Sequence, residues 1–186
     1  SAQYQPQDEK HPLNPQSPYA ASKVAADALV NAFNLSYDMP VVTLRPFNTF
    51  GPRQSERAVI ASIIRQAVDP RCNTIMVGNL RAIRDFQYVT DTVSAFLAVA
   101  ALGEPGNVYN AGAGYVTSIG IVAAWAGTES GKSEMPAADR ERPSKSEVRV
   151  LRSDAGKLKA IWSPKVSLLD GLTLTRKWWR GQPLRS

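Results

Sequence analysis

From Pro18 onward, apolar and polar positions repeat at spacings of three and four. One line carries Tyr19, Lys23, Ala26, Val30 and Phe33; a second carries Ala21, Val24, Ala25, Ala28, Leu29 and Ala32. This period predicts a helix over residues 18–37, capped by Ser17, with Pro18 in the first position, where a missing N–H costs nothing. Two apolar lines predict burial on two sides, one against a sheet and the other, rich in alanine, against a second subunit. Val41 to Leu44 is apolar without alternation, as in a strand buried on both faces, and Pro46 is expected to end it in a loop. The following pattern predicts a helix over 57–68, a strand over 74–78 and a short extended segment over 84–89. Thr90 is expected to cap a helix over 91–102 that Gly103 terminates. A strand over 107–112 and a short, glycine-weakened helix over 118–127 come next. Residues 130–148 are polar and charged and predict a loop. Ser167 and Asp170 resemble a capping box at the start of a last helix over 168–179. Strands alternating with helices predict an α/β fold with mainly parallel pairing.

Composition narrows the function classes. With 186 residues, 44% of them hydrophobic and 20% charged, the chain can form one globular domain or most of one. No apolar run approaches the roughly 20 residues a membrane span needs. Residues 1–16 are polar and proline-rich, unlike a secretory leader. Cys72 is the single cysteine, so an internal disulfide and a cysteine-cluster metal site are both excluded; a reducing cytoplasmic setting is expected. His11, the single histidine, lies among prolines and reads as a surface residue, so no metal site is expected. The net charge of +6 suits an anionic partner. Arg45, Arg53, Arg57, Arg84, Arg140 and Arg142 are scattered over loop-like positions rather than gathered with aromatics, which suits a phosphate-bearing small molecule better than nucleic acid. Taken alone, the same composition fits a solvated basic surface.

The candidate chemistry begins in "NPQSPYAASK", where Tyr19 and Lys23 are one helical turn apart. A free phenol has a pKa of about 10, too high for a base at neutral pH. An ammonium one turn away, and a helix N-terminus, both stabilise phenolate. The bland alternative is a surface tyrosine and lysine, and a short motif by itself does not choose between them. Further motifs change that balance. "SPYAASK", "LRPFNTFGPRQS" and "RDFQYVTD" follow in order, with "VYNAGAGYVTSIG" and "RERPSKSEV" after them. Together they resemble the extended short-chain dehydrogenase/reductase family, in particular its NAD-dependent sugar-nucleotide epimerases and dehydratases. They look like the branch of nucleotide-sugar 4,6-dehydratases acting on GDP- or UDP-linked hexoses, with the similarity running over about residues 5–179.

The resemblance implies the C-terminal half of an extended Rossmann-type fold with a small substrate-binding α/β lobe. The family's N-terminal glycine-rich half has no counterpart in the sequence. Residues 1–50 would complete the NAD-binding domain; 51–186 would mostly bind substrate, with 74–102 returning to the Rossmann core. Tyr19 would act as general base, with Lys23 lowering its pKa, and both would touch NAD, as would Pro46 and Phe47. Asn48, Arg57, Arg84, Arg142 and Glu147 would hold the nucleotide sugar, with Arg84 on the diphosphate. Asp85 and Asp91 read as structural, and Trp178 and Trp179 as packing. Family habit adds a cytoplasmic homodimer formed through helix 18–37, with no nucleic-acid or membrane partner. A C4 epimerase and a non-catalytic binding module remain alternatives. With no GxxGxxG turn in its sequence, the 186-residue chain alone is expected to be inactive.

Overall fold

The computed structural model of the chain describes residues 2–132, 136–138 and 148–182. Helix α1 (Pro18–Tyr37) starts as its local chemistry requires: Ser17 accepts a hydrogen bond from the Ala20 N–H at 3.1 Å, with Pro18 in the first position. Asp38, in the left-handed region at φ 49°, then turns the chain toward β1 (Thr43–Pro46). Arg45 on β1 ties the two elements together. Its Nε pairs with Asp27 of α1 at 2.5 Å, and its Nη1 donates to the Glu9 carbonyl at 3.2 Å. The double burial expected of α1 is not met. None of its 20 residues is buried, and Leu29, Phe33 and Tyr37 stay exposed. The period correctly marks apolar lines, but the described residues cover them only in part, with Val24 and Val30 half-buried.

No loop follows Pro46. The Phe47 N–H donates to the Ala111 carbonyl at 2.8 Å, and the chain re-forms at once as β2 (Asn48–Phe50). It stays extended because Phe50 gains a buried place, edge-on to Phe86 at 6.1 Å and to Tyr88 at 5.6 Å. Both rings belong to β4 (Ile83–Tyr88), which runs parallel to β2. Strand β4 also pairs antiparallel with β6 (Val116–Ser118) and parallel with β8 (Val150–Leu151). Separately, β1 runs parallel to β5 (Val108–Ala111), and β3 (Met76–Val77) parallel to β7 (Ala137–Ala138). Parallel pairing therefore dominates, as the alternation predicts. The strand expected over 74–78 shortens to two residues. The loop expected over 130–148 contains β7, and most of its remainder lies outside the described residues.

Two cores hold these strands. In the first, α2 (Val59–Val68), α4 (Ile119–Thr128) and α6 (Leu168–Arg180) enclose Phe50, Phe86 and Tyr88 with Ile60, Ile63, Ile64, Val122 and Leu172. Each such side chain contributes about 1.5–3 kcal/mol on burial. Gly171 is what lets α6 approach: a Cβ there would stand 2.8 Å from both Phe50 and Tyr88 ring atoms. That contact justifies a glycine in a helix, where it costs about 1 kcal/mol. Trp178 and Trp179 meet edge to face at 4.9 Å as packing residues, and Ser167 caps α6 as expected. The second core joins Ala95 and Val99 of α3 (Val89–Leu102) to Tyr109 and Ala111 of β5, Leu158 of α5 (Gly156–Lys159), and Val42 and Leu44.

Thr90 does not cap α3. The helix begins directly after β4, with Tyr88 at the cap position and no side-chain cap. Instead Asp91, buried in its first turn, accepts from the Lys165 and Val166 N–H groups at 3.1 and 2.9 Å, a carboxylate where the helix dipole favours one. After α2, the turn toward β3 is tied by Asp69. Its carboxylate accepts from the Arg71 N–H and guanidinium at 2.8–3.0 Å, which holds it down at about 2. Lys132 reinforces the turn by donating to the Asp69 carbonyl at 2.7 Å and to the Cys72 carbonyl.

Candidate active site

Tyr19 of α1, Asn48 of β2, Arg57 of the segment before α2 and Arg84 of β4 line one cavity of about 720 Å³. That volume is in the range of small-molecule sites. Tyr19 occupies the first turn of α1. It is 72% exposed, and among the described residues its hydroxyl has no hydrogen-bond partner. Lys23, one turn later, places its Nζ 5.6 Å from the Tyr19 ring centroid. The phenol therefore opens on the cavity with a cation beside it.

Asn48 is the first residue of β2, and its Nδ2 donates to the Asp85 carbonyl at 3.1 Å. This fixes the amide plane and leaves the side-chain oxygen as an acceptor. Arg84 enters from β4. Its Nη1 donates to the Ile83 carbonyl at 2.8 Å and to the Arg149 carbonyl at 3.4 Å, so main-chain oxygens orient the guanidinium. Arg57 reaches the wall from the exposed segment before α2.

Directly behind Arg84, Asp85 is fully buried and made rigid by four donors. Ala113 N–H lies at 2.9 Å, Gly114 and Ser153 N–H at 3.3 Å each, and the Ser153 hydroxyl completes the set. A Cβ at Gly112 would come within 2.7 Å of the same carboxylate, so the chain can fold around it only without a side chain there. The structural reading of Asp85 and Asp91 holds, and Asp85 joins three segments of the cavity's supporting frame.

Other expected site residues lie elsewhere. Lys23, Pro46 and Phe47 do not line the cavity; Pro46 closes β1 and Phe47 is half-buried beside it. Arg142 and Glu147 lie outside the described residues. The sequence reading missed the wall formed by Ser62 on α2 and by Met76, Val77, Gly78 and Asn79. One signal was available: Ser62 and Gln66 stand one turn apart on a helix whose other residues are mostly apolar. Among the described residues no group of histidine, cysteine, aspartate and glutamate could hold a metal ion, and no helix is long and apolar enough to cross a membrane.

Comparison with known proteins gives a consistent result. Residues 1–175 match the family model for GDP-mannose 4,6 dehydratase. The chain is 34% identical to mouse (Mus musculus) dTDP-D-glucose 4,6-dehydratase, over 93% of its own length and 50% of that protein's. It is 29% identical to a UDP-glucose 4-epimerase of Mycolicibacterium smegmatis, over 95% of this chain and 57% of the other. Among solved structures, the Bacillus anthracis dTDP-glucose 4,6-dehydratase in complex with NAD superposes with a TM-score of 0.83 at 30% identity. That match covers 92% of this chain and 54% of that one. The chain thus spans about half the length of the curated relatives it matches, and its α/β architecture is that of Rossmann-type dehydratases and epimerases.

Proposed function

The chain belongs to the GDP-mannose 4,6 dehydratase family, and from that premise we propose that it is the substrate-binding half of an NAD-dependent nucleotide-sugar 4,6-dehydratase. The observation that carries this reading is the convergence of Tyr19, Asn48, Arg57 and Arg84 on one cavity. An open phenol beside an ammonium, at the mouth of that cavity, fits the nicotinamide end of NAD, the cofactor with which the Bacillus anthracis relative was solved. Tyr19 and Lys23 would hold that end, with Pro46 and Phe47 beside it at the end of β1. When bound, NAD supplies the hydride acceptor for oxidation at the sugar C4 and the hydride donor that completes the reaction at C6.

Each residue then has a defined task. Tyr19 takes the proton of the C4 hydroxyl, and Lys23 balances the charge its phenolate carries. The exposed position of the phenol lets it reach a bound sugar directly. Asn48, fixed by the Asp85 carbonyl, accepts from a sugar hydroxyl and orients the ring. Arg84 and Arg57 neutralise the diphosphate, with Arg84 preset by its main-chain partners.

A C4 epimerase is a second reading, favoured by the likeness to UDP-glucose 4-epimerase. The same residues would serve, with hydride returned to the opposite face of the C4 ketone and no loss of water. The binding core of either reading is tested by Arg84→Ala in the 186-residue chain. Affinity for nucleoside diphosphates, measured by calorimetry, should fall about tenfold to a hundredfold, as for the loss of a charge-assisted hydrogen-bond pair. The melting temperature should stay close to that of the parent chain. Equal affinity in both proteins would remove Arg84 from the site.

A further inference from the structure

Gln66 lies on α2 one turn after Ser62, and its side-chain amide is fully engaged. Its Oε1 accepts from the Met76 N–H at 2.9 Å, while its Nε2 donates to the Met76 carbonyl at 3.0 Å. The same nitrogen lies 3.2 Å from the Ser62 hydroxyl and 3.3 Å from the Ser62 carbonyl. A primary amide offers one acceptor oxygen and two N–H groups. One side chain therefore takes both main-chain polar groups of Met76, as a neighbouring strand would.

This pairing matters because β3 has only two residues and is matched on one side by an equally short β7. Such a strand has little hydrogen bonding of its own to hold it in place. The Gln66 amide fixes its distance from α2, and those two elements form one wall of the cavity: Ser62 on the helix, Met76 to Asn79 on the strand and its exit. Met76 is 39% exposed and presents a polarizable thioether on this wall.

A nucleotide sugar is linear, with hexose, diphosphate and nucleoside in that order. With the hexose at Tyr19 and the diphosphate at Arg84 and Arg57, the Ser62–Met76 wall belongs to the lining left for the nucleoside. We propose that Gln66 is a positioning residue for the nucleoside end of the substrate, setting the spacing between α2 and β3 without touching the ligand. This role rests on the nucleotide-sugar reading of the cavity.

The test uses the intact 186-residue chain and its Gln66→Leu and Gln66→Glu variants. GDP, UDP and dTDP are the nucleoside probes, and inorganic pyrophosphate is the probe without a base. Gln66→Leu should raise the Kd of whichever nucleoside diphosphates bind the parent chain by about tenfold, the size of effect of losing one to two neutral hydrogen bonds. Pyrophosphate affinity should not change, and exchange of the Met76 amide proton should accelerate. Gln66→Glu keeps the acceptor for the Met76 N–H but sets a carboxylate oxygen against the Met76 carbonyl, so it should lose at least as much affinity as Gln66→Leu. Unchanged nucleoside diphosphate affinity in Gln66→Leu would overturn the proposal. An equal loss for pyrophosphate would do so too, because it would show that Gln66 supports the whole cavity rather than one end. If the parent chain binds none of the three nucleoside diphosphates, the nucleotide-sugar reading itself fails, and the role of Gln66 with it.

Discussion

Asp85→Ala should destabilise the chain by about 3–5 kcal/mol, the cost of leaving several buried donors without their acceptor. The carboxylate is fully buried and accepts from Ala113, Gly114 and both the main chain and hydroxyl of Ser153. Alanine would leave these buried donors with nothing to accept from them. Asp85→Asn retains an acceptor oxygen but places an NH₂ against donors, so it should cost less than alanine and still be clearly destabilising. Urea denaturation checks both. With an m value of about 2 kcal/mol/M, the midpoint for Asp85→Ala should drop by about 1.5–2.5 M. A loss below about 1 kcal/mol would mean that the frame behind Arg84 is held by something other than this carboxylate.

The second large effect concerns chemistry rather than stability. Joined to a cofactor-binding N-terminal half, the chain should convert a nucleotide hexose, and Tyr19→Phe should lower kcat by about 10²–10⁴-fold, the usual contribution of a positioned general base. The substitution removes one oxygen from a side chain that is 72% exposed, so stability should change by no more than about 0.5 kcal/mol. Binding of the nucleotide sugar should be nearly unchanged, because the loss falls on proton transfer. The 186 residues alone should give no turnover. A 4-keto-6-deoxy product supports the dehydratase reading and a C4 epimer the alternative. Near-parental kcat in the phenylalanine variant would take the base out of Tyr19.

What the sequence revealed, and what it hid, follow from the range of the interactions involved. Ser17 and Ser167 cap their helices through bonds to main chain three residues away, and both were legible for that reason. Strands β2 and β8 were not. Three and two residues long, they are extended because distant partners on β4 pair with them, and no local pattern of that length can show it. The start of α3 depends on Asp91 binding main chain more than 70 residues later, whereas Thr90 only looked like a cap. The two apolar lines of α1 were read correctly as lines; periodicity shows which face is apolar, not which partner covers it.

The site divides in the same way. Tyr19, Asn48 and Arg84 stand in motifs whose residue types point to their chemistry, and the fold brings them to one cavity. The structural duty of Asp85 was anticipated, yet its four donors come from segments about 30 and 70 positions away. Gln66 escaped notice because its partner is the main chain of Met76, which leaves no mark on the residue type at position 76.

A crystal structure of the chain soaked or grown with a GDP-, UDP- or dTDP-hexose tests the central claim most directly. The hexose C4 hydroxyl should lie within hydrogen-bond distance of the Tyr19 hydroxyl while the Arg84 guanidinium contacts the diphosphate. A nucleotide sugar bound away from that cavity, or bound in it with the hexose facing away from Tyr19, would contradict the assignment.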